Sequence, residues 1–152
     1  MYEHIKFKNA INMRKANYDK FPSTKLTGML VQGWDIIISM LKEKMDARKV
    51  LAVDLYTGVY EEEVLDAFSK EFSGRVMNVR DLMKPEKEIQ TLTERFMTED
   101  VLFGYVTNLK LEDYLDGDKV AAARKQISEA KETIVIIGTG ASVVAPQDAM
   151  VV

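Results

Sequence analysis

"KVLAVDLYTGVYEEEV", residues 49–64, decides the fold. Residues 50–53 are continuously apolar, which is how a strand buried on both faces reads, and the strand is expected over 49–55. Thr57-Gly58 then makes a turn. From Glu61 a helix is expected to Phe72, with Val64, Leu65, Phe68 and Phe72 as its inner stripe and Ser73-Gly74 as its stop. Strand, glycine turn and helix in direct succession is the layout in which a helix N-terminus holds phosphate. A phosphate loop, G-x-x-x-x-G-K-[ST], needs amides for the cradle, a lysine for the terminal phosphates and a hydroxyl for magnesium. With Gly58 as the second glycine, Val53 stands at the first, Val59 at the lysine and Tyr60 at the hydroxyl position. Glu61, Glu62 and Glu63 follow, so carboxylates already answer the helix dipole. The segment keeps the shape of a phosphate loop without its chemistry.

Working outward, Trp34, Ile37, Ile38, Leu41 and Met45 recur at helical spacing and predict a helix from about Gly33, its apolar stripe packed on the protein's own sheet. "RVMNV" (75–79) reads as a second strand. Pro85 suits the first turn of a helix that buries Ile89, Leu92 and Phe96. "VLFGYVTN" (101–108) fits a strand or a loop. Asp116 or Asp118 can cap a long helix whose inner positions are Val120, Ala123, Ile127 and Ala130. "TIVIIG" (133–138) is the third clear strand. Strands alternating with helices predict an α/β fold, a parallel sheet covered by helices on both faces. Residues 1–32 read as an extended N-terminal arm, since Phe21-Pro22 disfavours helix, and 33–152 as the α/β domain. The last residues, "PQDAMVV" (146–152), resemble the start of another element. Three clear strands make a small sheet, so the expectation is that the sequence stops either before its domain does or just at a boundary.

Bulk composition narrows the function classes. The chain has 152 residues, 47% hydrophobic and 30% charged, enough for one domain with a core and unlike a disordered chain. A net charge of -3 gives no sign of a general nucleic-acid binder. Cysteine is absent, which removes disulfides and thiolate chemistry and fits a reducing, cytoplasmic setting. No apolar run approaches the roughly 20 residues of a membrane helix, and "MYEHIKFKNA" lacks a signal-peptide core. His4 is the only histidine, so a His-rich metal site cannot be built within one chain. Beside the terminus, it is read as incidental.

In an open α/β sheet, ligands bind beyond the carboxyl ends of the strands. Three segments belong to that edge: Tyr56, Thr57 and Gly58; Arg80 and Asp81; and Gly138, Thr139, Gly140 and Ala141 of "GTGAS". They are the ligand-binding candidates, weighed against plain tight turns and an ion pair. No catalytic residue and no metal ligand is assigned. Arg95, Thr98, Glu99 and Asp100 form a polar cluster before residue 101, either a solvated helix end or a lining for polar substrate.

"YDKFPSTK" with "GW", "VLAVDLYTGVYEEEVL", "FMTEDVLFGYVTNLKLEDYLDGDKVAAAR" and "ETIVIIGTGAS" together resemble the N-terminal region of long bacterial mannose-6-phosphate isomerase-like proteins. The likeness spans nearly the whole chain, and "TEDVLFG" and "IIGTGA" are its most specific pieces. In that family a kinase-like domain precedes the isomerase's cupin part. The resemblance implies a degenerate P-loop fold similar to uridine kinases. Gly58 is then the surviving loop glycine, Asp81 the acidic position after the second strand, and Gly138 to Ala141 the turn after a later strand. It also implies that zinc belongs to a cupin part outside this sequence, in cis or in trans. The leading expectation is a non-catalytic accessory domain, or a fragment, that binds a sugar phosphate or nucleotide or docks an isomerase partner. The alternatives are a small active kinase using Lys84 and Asp81, and a structural interaction module without a ligand.

Overall fold

In the computed structural model of the chain, the described residues are 18–25, 27–28, 30–45 and 47–152. His4 lies outside them. The two most apolar segments make the centre of the sheet. Strand β1 (Val50–Asp54) lies parallel to β3 (Ile134–Gly138), with Val50 opposite Ile134 and Asp54 opposite Gly138. Strand β2 (Arg75–Asn78) flanks β3. Strand β4 (Met150–Val151) flanks β1. The order is β2-β3-β1-β4 and every pairing is parallel. The apolar end of the sequence therefore does enter a fourth element. The Asp54 amide donates to Val152 O at 2.8 Å, and the Val152 amide to Ala52 O at 2.9 Å.

Side chains alternate across a strand, so each central strand feeds two cores. Val50, Ala52, Ile134 and Ile136 join one cluster. It is completed by Val120, Ala123 and Ile127 of α5 (Gly117–Glu129), by Ala141 and Val144 of α6 (Ala141–Val144), and by Val79, Leu82 and Leu115. Leu51, Val53, Val135 and Ile137 join the other. There they meet Ile38 and Met45 of α1 (Trp34–Met45), Val64 and Phe68 of α2 (Glu61–Glu71), and Phe72. Of the α1 stripe, Ile38 and Met45 are core, Ile37 and Leu41 are half-buried, and Trp34, edge-on to Phe68 at 6.4 Å, remains exposed. Burying side chains of this size contributes roughly 1.5–3 kcal/mol each.

Local signals fix the helix ends. Asp116 caps α5, its Oδ1 accepting from the amides of Asp118 at 3.0 Å and Lys119 at 3.1 Å, a contact worth about 1 kcal/mol. Tyr60 precedes α2 without a side-chain cap, and the three glutamates of its first turn favour the helix dipole by their charge. Helix α3 (Glu86–Glu94) departs from expectation because it buries none of its residues. Ile89, Leu92 and Phe96 are only half-buried. The reason lies in the segment that follows. Residues 101–108 form neither helix nor strand, and Val101 and Val106 face solvent instead of covering α3. A short helix, α4 (Leu111–Tyr114), ends that loop.

The chain divides into Met1–Leu30 and Val31–Val152. The described residues of the first unit carry no helix or strand, and a turn there is held by the Phe21 amide donating to Asp19 Oδ1 at 2.9 Å.

Phe68 is 1% exposed and Ile36 50%. Phe68→Ala is expected to cost about 3–5 kcal/mol in urea unfolding, while Ile36→Ala stays within about 1 kcal/mol. Equal losses would contradict this assignment of the α1–α2 core.

Candidate functional site

The β1–β3 pairing brings the two glycine turns to one edge. Past Asp54, the Leu55 amide donates to Gly138 O at 3.3 Å, and Thr139 Oγ1 donates to Leu55 O at 3.0 Å. Gly58 takes φ +95°, and the Val59 amide closes the turn on Tyr56 O at 3.2 Å. Gly138 has a tighter reason to be glycine. It takes φ +137°, and a Cβ there would meet Val79 Cβ at 2.9 Å. The turn after β3 is thereby pressed against the start of the 3-10 turn Val79–Leu82 that follows β2.

A cleft of about 570 Å³ opens between these ends. Its lining draws on Val59, Tyr60, Glu61 and Glu62 at the start of α2, on Val79, Arg80 and Met83, and on Gly138 and Thr139. Leu111, Tyr114 and Leu115 close the far wall. That wall is tied down by the Lys84 amide on Tyr114 O at 3.0 Å, Lys84 Nζ on Asp113 O at 2.7 Å and the Asp116 amide on Leu82 O at 2.9 Å. Among the described residues Arg80 is the one cation of the lining, against the two carboxylates of Glu61 and Glu62. Glu61 Oε1 is shut off from solvent and has no hydrogen-bond partner among the described residues. Leaving such a group unpaired costs roughly 1–3 kcal/mol.

The candidate residues separate on this geometry. Arg80, Gly138 and Thr139 line the cleft. Tyr56, Thr57 and Gly58 are exposed beside it, at the same strand ends. Asp81 is exposed on the 3-10 turn, outside the lining, and its carbonyl accepts from Lys119 Nζ at 3.2 Å. Gly140 and Ala141 are buried, and their amides serve another group, Asp54. Of the polar cluster before residue 101, Thr98 and Asp100 bond within their own loop. Asp100 Oδ1 accepts from the amides of Leu102 at 2.8 Å and Phe103 at 3.2 Å.

Sequence reasoning passed over Asp54. Its Oδ1 accepts from the Gly140 amide at 2.8 Å, and its Oδ2 from the Ser142 amide at 3.1 Å and from the Ser142 hydroxyl. Burial pushes its carboxyl upward, but the Ser142 hydroxyl and the amides of Gly140, Ser142 and Ala141 outweigh that and hold it below its ordinary value. The available signal was a lone carboxylate ending an otherwise apolar strand. Glu61–Glu63 at α2 and Asp54 at the β3 turn mean that both helix starts on this edge already face carboxylates of the chain itself.

A larger open groove, about 1140 Å³, lies at the opposite, amino end of the strands beside Val50 and Ile134. Ligands of parallel sheets bind at the carboxyl end. The groove's Arg124 is also already engaged with the carbonyls of Val143 at 2.7 Å and Val144 at 3.4 Å. The smaller cleft is the better candidate. Among the described residues no group of three His, Cys, Asp or Glu is placed to hold a metal ion. No helix among them is long and apolar enough to cross a membrane.

Residues 33–152 match a family described as a domain of unknown function (DUF8485). The chain belongs to that family. No curated protein and no solved structure matches it. The family's match begins one residue before α1 and takes in every strand and helix of the sheet domain, and thus the whole cleft.

Two substitutions test how this edge is held. Gly58→Ala meets only the unfavourable φ, since nothing lies within 4 Å, and should cost about 1–2 kcal/mol. Gly138→Ala adds the collision with Val79 and should cost clearly more. Equal losses in urea unfolding would remove the close approach as the reason for Gly138.

Asp54→Asn is expected to cost roughly 1.5–3 kcal/mol at neutral pH, by loss of hydrogen bonds to a charged acceptor. Because the folded-state carboxyl titrates below its unfolded value of 3.8, the stabilisation is complete above that value and fades as pH falls through the lower, folded one. The gap between wild type and variant should therefore narrow in acid. A pH-independent gap in denaturant titrations would contradict this.

Proposed function

We propose that the domain is a non-catalytic, ligand-binding accessory module whose carboxyl-edge cleft takes a small phosphorylated molecule, a sugar phosphate or a nucleotide. One observation carries the reading. The cleft lies where parallel-sheet ligands bind, yet it is lined by Val59 and Tyr60 where phosphoryl transfer needs lysine and a magnesium-holding hydroxyl. The nearest relocated lysine, Lys84, is engaged with Asp113 O. The strand order sets the β1 and β3 turns side by side, as a degenerate P-loop kinase fold requires, and this supports the kinase-like descent.

On this reading Arg80 meets the phosphate, while the phenols of Tyr60 and Tyr114 and the hydroxyl of Thr139 meet the body of the ligand. A single guanidinium suits one phosphate group better than three, given Glu61 and Glu62 close by. We further propose that the module works in the cytoplasm beside a mannose-6-phosphate isomerase-like cupin, in cis or in trans. Zinc and the isomerisation then belong to that partner.

Calorimetry with mannose 6-phosphate and with a nucleoside monophosphate checks the binding. At least one is expected to bind, and Arg80→Ala should weaken it about tenfold or more, the loss of a charge-assisted contact. Magnesium-dependent ATP hydrolysis should be absent. Measurable turnover would favour the kinase, and no heat with either ligand together with no association with a cupin isomerase would overturn the proposal.

A further inference from the structure

Glu61 stands at the first position of α2, where a carboxylate could serve the helix dipole alone. Two facts set it apart from Glu62 and Glu63. It is the only one of the three that is not exposed, and its Oε1 is dry and unpaired while the side chain lines the cleft. Glu63 by contrast accepts from Trp34 Nε1 at 3.2 Å. A carboxylate accepts and cannot donate, so only a donor can satisfy that oxygen. None of the described side chains provides one. A rotation about the side chain would turn the carboxylate into the cleft without moving the helix.

We infer that Glu61 reads hydroxyl groups, so that the cleft selects the polyhydroxylated body of its ligand as well as the phosphate. This rests on the proposed ligand-binding function and narrows it. Arg80 and Glu61 divide the work by charge. The guanidinium can bond only to acceptors, and the carboxylate only to donors. A phosphate brought to Glu61 is repelled, so a ligand carrying its anion at one end and hydroxyls at the other has one orientation in the cleft. The apolar Val79, Met83 and Leu115 of the same lining accept the carbon frame. A site built to bond a ligand hydroxyl discriminates strongly against an analogue without it, because its own polar group is then left unpaired.

The test compares mannose 6-phosphate with methyl phosphate, which keeps the phosphate and lacks the polyol. Trp34 is the only tryptophan and is bonded to the first turn of α2, so its fluorescence can follow both titrations alongside calorimetry. Wild type should bind mannose 6-phosphate at least tenfold more tightly than methyl phosphate. Glu61→Gln should bring the two affinities to within about threefold by weakening only the sugar phosphate. Arg80→Ala should weaken both alike and keep their ratio. A Glu61→Gln protein that retains the wild-type ratio, with its fold confirmed by circular dichroism, overturns the role of Glu61 and leaves the phosphate site standing. Wild type binding both ligands equally does the same. Failure of wild type to bind either one overturns the inference together with the sugar-phosphate reading beneath it.

Discussion

The carboxylate of Asp54 holds the functional edge of this domain together. It ends β1 and takes the amides of Gly140 and Ser142, across a separation of more than eighty residues. Remove it and the turn after β3 has several amides directed at nothing, beside the place where Gly138 already presses on Val79. The turn's position sets the wall of the cleft that Gly138 and Thr139 supply. The stabilisation is electrostatic and local. It rests on a β1–β3 pair buried on both sides, and that burial keeps the two strand ends in register.

The same contact explains why the edge resembles an anion site without offering one at either glycine turn. Oriented amides at a helix start attract negative charge. Here the chain supplies that charge itself, through Asp54 at one turn and Glu61 to Glu63 at the other. What remains for a ligand is the space between the turns, where Arg80 is the only cation among the described residues. Phosphate recognition by a side chain suits binding and release, whereas transfer demands a cradle, a lysine and a metal acting together.

The parts of the fold legible in the sequence are those whose signal is local. β1 and β3 show as apolar runs because both faces are buried. α1, α2 and α5 show as helical stripes because each lies flat on the sheet. β4 was only half legible, since a two-residue strand owes its existence to the edge of β1 and carries no period of its own. α3 misled for the opposite reason. Its stripe of Ile89, Leu92 and Phe96 is regular, but the apolar loop after it projects outward, so periodicity overstated burial. At the site, Arg80, Gly138 and Thr139 were legible because strand ends locate them. Asp54 was not, because it does not bind phosphate but takes the amides that phosphate would. Leu111 and Tyr114 were illegible because long-range contacts from Lys84 and Leu82 place them.

The apolar loop from Met97 to Val106 adds an exposed surface to this arrangement. Val101, Leu102, Phe103 and Tyr105 are each more than two-thirds exposed, yet the loop is fixed by Asp100 and by the Tyr105 amide on Phe96 O at 2.8 Å. Exposed apolar side chains on an internally bonded loop cost little ordering entropy when they meet a surface. The loop leads directly into α4, which forms one wall of the cleft. A protein that covered the loop would therefore press on the wall that Leu111 and Tyr114 provide. Ligand in the cleft and a partner on the loop would then share one short segment, residues 109–115, pinned by Lys84. Such shared support is a physical route by which a small molecule in the cleft would influence a protein seated on the loop.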